Sequence, residues 1–127
     1  MAMDTSEKML CRAREKGYAI GAFNAENMEM AQAIIQAAEE ANAPVMIQTT
    51  PGTVRYASLE LYFANVAAIA EAARVPVAIH LDHGDSFSLA AKALRAGYTS
   101  IMIDGSKLPL EENIALTRSV VEMCRPC

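Results

Sequence analysis

The chain has 127 residues, 53% of them hydrophobic and 20% charged, with a net charge of −4. This is the composition of a folded globular domain, not of a disordered tail, and the mild acidity argues against a nucleic-acid surface, which needs clustered Lys and Arg. No run approaches the ~18 consecutive apolar residues of a membrane span. The opening Met1-Ala2-Met3-Asp4 has an early acid and no apolar core, so no signal peptide is expected.

A first helix is expected over about 4–16, where Arg12, Arg14 and Lys16 alternate with other residue types and read as a solvated face. Tyr18 to Phe23 forms the first strand-like run, opened by Gly17. From Glu26 to Ala41, Met28, Ala31, Ile34, Ile35 and Ala38 recur at helical spacing, and Pro44 ends the segment. Val45 to Gln48 is the second strand, closed by a turn at Thr49-Thr50-Pro51-Gly52. A helix follows over about Ser58 to Ala73. Val75 to Leu81 is the third strand, with Pro76 at its start, where a missing N–H is tolerated. Asp85 or Ser86 caps the next helix, which ends at Gly97. Ser100 to Asp104 is the fourth strand, and Leu110 to Cys124 the last helix, with Glu111 and Glu112 in its first turn complementing the helix dipole.

The order is α(βα)₄. Continuous apolar strands alternating with helices imply a parallel sheet covered by helices, so the fold class is α/β. Two architectures fit: an open four-stranded sheet, or half of a (βα)₈ barrel, since a complete barrel takes about 250 residues. Cys11, Cys124 and Cys127 are irregularly spaced. Cys124-Arg125-Pro126-Cys127 has the CxxC form but no second ligand pair, so free thiols in a reducing cytoplasm are expected.

In both architectures chemistry sits at the C-terminal ends of strands. Those ends read Asn24, then Gln48-Thr49-Thr50, then His80-Leu81-Asp82-His83, then Asp104-Gly105-Ser106. The third is the most informative, because both histidines of the chain fall within four residues. Strand alternation sends His80 and Asp82 to one side, and a twist after Asp82 would turn His83 to the same mouth. Neutral imidazole ligates zinc, and a neighbouring carboxylate can serve as general acid or base. Equally, His80 can be a hydrogen-bonded core histidine and Asp82 a helix cap; spacing alone does not choose.

Four segments, however, resemble one family. His80-Leu81-Asp82-His83-Gly84-Asp85-Ser86 and Ala96-Gly97-Tyr98-Thr99-Ser100-Ile101-Met102-Ile103-Asp104-Gly105-Ser106 are similar to class II fructose- and tagatose-bisphosphate aldolases. Gly17 to Asn24 resembles that family's first strand and Ala43 to Gln48 its second, in order and over nearly the whole chain. The Thr50-Pro51-Gly52 turn and Ile103-Asp104-Gly105-Ser106 lean towards the tagatose type or an unassigned ketose-bisphosphate aldolase.

The resemblance implies the N-terminal half of a TIM barrel as a single incomplete domain, residues 1–127. It further implies a zinc-dependent aldol cleavage or condensation of a ketose 1,6-bisphosphate, yielding dihydroxyacetone phosphate and glyceraldehyde 3-phosphate. Asp82 matches the residue that passes a proton to and from the aldol hydroxyl, and His83 the first zinc ligand. Asp104 matches a carboxylate at a second or displaced metal position, and Asn24 and Thr50 match polar groups facing the substrate. The family's other two zinc-binding histidines lie on later strands, and no histidine follows His83 here. Three protein ligands are usual for a catalytic zinc, so the 127 residues alone are expected to be inactive. Open strand edges suggest a homo-oligomer, or alternatively a non-catalytic half-barrel that associates with itself or another chain.

Overall fold

A computed structural model describes residues 3–125. Helix α1 (Ser6–Lys16) is followed by β1 (Gly21–Asn24), α2 (Met28–Glu40), β2 (Val45–Thr49), α3 (Pro51–Ala57) and α4 (Leu59–Ala72). Then come β3 (Val77–Gly84), α5 (Phe87–Ala96), β4 (Ser100–Ile103) and α6 (Leu110–Cys124). The four strands form one parallel sheet in the order β1-β2-β3-β4. The expected α/β class therefore holds, and the expected elements appear in their order with one helix, α3, added.

The two faces of the sheet are covered differently, and strand alternation decides which residues go where. Odd-numbered positions Val45, Ile47, Val77, Ile79 and Leu81 face a core shared with Ala31 and Ile35 of α2, Val66 and Ala70 of α4 and Ala93 of α5. Ile47, Ile79 and Leu81 are fully buried, each contributing roughly 1.5–3 kcal/mol by removal from water. Even-numbered Met46 and Ala78 face the other side, where Met9 of α1 and Ile20 cover them. Further along the same inner face the even positions turn polar, ending at Gln48, His80 and Asp82.

Several boundaries differ from those expected. β1 begins at Gly21, so Tyr18 to Ile20 lie before it. β3 starts after Pro76 and runs through Asp82 and His83 to Gly84, because β4 pairs with it that far. The turn expected at 50–52 is the start of an additional helix: Thr50 caps it, Pro51 occupies its first turn, and Thr50 and Thr53 bond each other's backbone N–H. Ser58, with φ 61°, breaks α3 from α4 and caps α4 by accepting from the Leu61 amide at 3.3 Å. Of the two candidate caps for α5, Ser86 serves, and Gly97 ends the helix in the left-handed conformation. Cys127 of the CxxC run lies outside the described residues. No helix among the described residues is long and apolar enough to cross a membrane.

Candidate active site

The register aligns Asn24, Gln48, His80 and Ser100 across the four strands, at the C-terminal ends of β1 and β2, midway along β3 and at the start of β4. Gln48 is the link within this row. Its Nε2 donates to Asn24 Oδ1 at 2.9 Å and to Asp82 Oδ2 at 3.0 Å, so both amide protons are used and the Asp82 carboxylate is held in place. Beside it, His80 Nδ1 lies 2.6 Å from Ser100 Oγ, and its Nε2 is 3.9 Å from Asp82 Oδ1. His80 is largely buried, and that burial lowers its pKa, the Asp82 charge offsetting the effect in part.

His83 would point away from Asp82 on a regular strand. A bulge prevents this: Leu81 to Gly84 is three steps along β3 but pairs with Ile101 to Ile103, two steps along β4. The extra residue is accommodated with His83 at φ 51°, a left-handed conformation costly for any side chain with a Cβ. Gly84 permits it, since a Cβ there would stand 3.0 Å from the Met102 carbonyl oxygen of the neighbouring strand. As a result His83 Nε2 comes to 3.9 Å from Asp82 Oδ2, and Nδ1 lies 2.8 Å from Asp104 Oδ2.

Asp104 is doubly engaged, its other oxygen accepting from the Ser106 amide at 2.9 Å. Hydrogen bonds from Ser106 first, and from His83 second, hold its carboxyl well below the usual carboxylate range. The same bond to Asp104, aided by the charge of Asp82, raises the His83 pKa. A neutral His83 that donates from Nδ1 presents its Nε2 lone pair, the arrangement in which a histidine ligates a metal.

Four of the five residues singled out in the sequence are thus brought together: Asn24, Asp82, His83 and Asp104. Thr50 stands apart as the cap of α3, with its hydroxyl engaged by Thr53. Gln48 and Ser100 were not singled out, although their even-numbered register with Asn24 and His80 carried the signal. Beneath Thr50, Thr53 Oγ1 donates into the Glu26 carboxylate (2.9 and 3.0 Å), tying the β1–α2 loop to α3. No group of three or more His, Cys, Asp or Glu side chains among the described residues is arranged to hold a metal. The donor set fits a zinc site in part: one imidazole with an available nitrogen and one carboxylate behind it, against the three ligands usual for catalytic zinc.

A family model described as "Fructose-bisphosphate aldolase class-II" matches residues 4–127. A probable fructose-bisphosphate aldolase of Bacillus subtilis (strain 168) is 50% identical over 126 residues, which are 97% of this chain and 44% of that protein. A fructose-bisphosphate aldolase of Thermus caldophilus is 48% identical over 118 residues, 93% of this chain and 38% of that protein. Among solved structures, the YdjI aldolase from Escherichia coli K12 superposes with a TM-score of 0.92 at 38% identity, covering 98% of this chain and 48% of that one. The chain therefore spans less than half the length of these relatives.

Proposed function

The chain belongs to the class-II fructose-bisphosphate aldolase family, and on that premise we propose that it carries the proton-transfer part of a zinc-dependent aldolase site. The substrate class is a ketose 1,6-bisphosphate of fructose or tagatose type, cleaved to dihydroxyacetone phosphate and glyceraldehyde 3-phosphate. The observation that carries this reading is Asp82, clamped by Gln48 at 3.0 Å, standing beside His83.

In this reading Asp82 takes the proton of the hydroxyl next to the breaking carbon–carbon bond and returns it in condensation. The bonding electrons move towards the substrate carbonyl. Zinc, when bound, would supply the Lewis-acid polarisation that accepts this charge, with His83 Nε2 as a ligand. Gln48 fixes the carboxylate so that Oδ1, not Oδ2, is the oxygen left to the substrate. Asp104 orients His83; to serve as a second metal carboxylate it would have to release His83 or Ser106. Asn24 reaches the substrate from the first strand, where its carbonyl oxygen is already committed to Gln48. For Thr50 to face substrate, its hydroxyl would have to leave the helix cap.

One imidazole at the mouth is too few for tight metal binding, so the 127 residues alone are proposed to lose zinc on dialysis and to be inactive. A homo-oligomer is proposed from exposed apolar side chains such as Tyr56 and Leu61, and a reducing cytoplasm from the free thiol of Cys11. The test is a coupled assay for dihydroxyacetone phosphate with fructose and tagatose bisphosphates. No release is expected from the chain alone, and release is expected when the C-terminal part of the Bacillus subtilis relative is supplied with zinc. Asp82→Asn should lower that reconstituted rate by about 10²–10⁴-fold. An undiminished rate would remove Asp82 from the reaction.

A further inference from the structure

We propose that a basic cleft at the N-terminal ends of the strands, opposite the end that carries Asp82 and His83, binds a small organic polyphosphate of the nucleoside triphosphate class. The cleft holds about 660 Å³ between α1, the loop from α2 into β2 and the loop from α4 into β3. That volume lies within the range of small-ligand pockets. The site is independent of the aldolase reading, and it does not depend on either edge of the sheet. Its walls come from residues 4–76, and the two strands it borders, β2 and β3, each have neighbours on both sides.

Charge is concentrated here against the sign of the whole chain. Lys8, Arg12, Lys16 and Arg74 line the cleft with a single acid, Asp4, a net of +3. The chain as a whole carries −4, so everything outside the cleft carries −7. Lys8, Arg12 and Lys16 follow one another at four-residue steps, which places them along one stripe of α1. Met9, buried on the same helix, packs on Met46 and Ala78 and so holds the stripe over the cleft. Lys8 pairs with Asp4 at 3.6 Å and Arg74 with Glu39 at 3.4 Å, both cations being largely exposed. Exposed pairs of this kind are weak and yield to a multivalent anion. Arg12 and Lys16 have no acid within ion-pair distance among the described residues. Helices α2 and α4 end beside the cleft. Their C-terminal partial charges of about −0.5 each leave most of the positive charge unanswered.

The other lining residues say what kind of anion fits. Tyr18 is 40% exposed at the wall, and Pro44 and Pro76 add apolar surface. An aromatic ring beside a row of cations suits a ligand with a planar base at one end and phosphates at the other. Asn42, held at φ 48°, brings an amide that can donate to a phosphate or accept from a base. A cleft lined by one sign of charge focuses its field on a ligand small enough to enter. An extended nucleic acid is disfavoured, because beyond the cleft it meets a surface of net −7.

Isothermal titration calorimetry of the 127-residue chain with ATP, without added metal, is expected to show one site that weakens as salt rises. The double variant Arg12→Glu/Lys16→Glu should weaken it at least about tenfold, while Arg118→Glu on α6 leaves it unchanged. Tyr18→Ala should weaken ATP but not inorganic tripolyphosphate, which has no base to stack. Absence of saturable ATP binding, or binding indifferent to the double reversal, overturns the site. Tripolyphosphate binding as tightly as ATP, or a short single-stranded RNA binding more tightly, overturns the assignment of a nucleotide. Should a variant fail to fold, amide NMR on the unaltered chain decides. ATP should shift the resonances of Lys8, Arg12, Lys16, Asn42 and Arg74, and shifts confined to the mouth around Asp82 overturn the proposal.

Discussion

His80 and His83 stand three residues apart in opposite environments, and they are the only histidines in the chain. Burial pushes the first below its ordinary pKa of 6.5, and the bond to Asp104 raises the second above it. Two imidazole NMR resonances of the metal-free chain should therefore titrate on either side of 6.5, and coincident midpoints would contradict the geometry. Their effects on stability have opposite signs. The His80 contribution is present above pH 6.5 and lost as pH falls through its lowered value. The His83 contribution is present below pH 6.5 and lost as pH rises through its raised value. A second residue-scale prediction concerns Tyr62, which is buried and donates to the Ala25 carbonyl at 2.6 Å. Tyr62→Phe strips that carbonyl of its partner and should cost about 1–3 kcal/mol, read as a lower urea midpoint. Tyr98 is likewise buried, and burial pushes its hydroxyl up to about 12. It contributes stability that is complete below pH 10 and lost as pH rises towards 12. Asp82 and His83 were singled out by the family resemblance, since spacing alone left them open, and the fold sets them side by side. Gln48 was not, since glutamine at a strand end has no chemistry of its own; its importance comes from a cross-strand register that only the fold supplies.

Among the elements, β3 departs most from its sequence pattern. Alternation predicts His83 on the helix-facing side, and nothing in the residue types announces the bulge that turns it back. Gly84 is the one local hint. Gly84→Ala should press a methyl against the Met102 carbonyl and wedge β3 from β4, destabilising the chain by about 1–3 kcal/mol. The diagnostic readout is His83: its NMR titration midpoint should fall towards 6.5 as the bond to Asp104 lengthens, and a midpoint unmoved despite lost stability would refute the coupling. Helix α3 was missed for a different reason. Thr-Pro-Gly reads as a turn, yet Thr50 and Pro51 also suit a cap and a first helical turn. The reciprocal Thr50–Thr53 bonds, with Thr53 anchored on Glu26, favour the helix. By contrast α6 was legible to the residue, because the turn through Pro109 sets its start and Glu111 and Glu112 suit its first turn.

At the scale of the molecule, apolar strands alternating with amphipathic helices were enough to specify a parallel α/β sheet. They could not distinguish an open sheet from part of a barrel, because each unit makes the same local contacts in both. The superposition on nearly half of a solved aldolase resolves that choice for the fold. The strand order has a further consequence, for folding. Every strand pairs with the strand next to it in sequence, and the longest leap between paired strands is that from Val45 to Val77, the isolated bridge of Met3 to Val77 lying outside them. Each βα unit can therefore dock onto its predecessor as it leaves the ribosome, without waiting for a distant partner. The sheet grows from one end as a row of similar additions, and its newest edge is always the one awaiting the next strand.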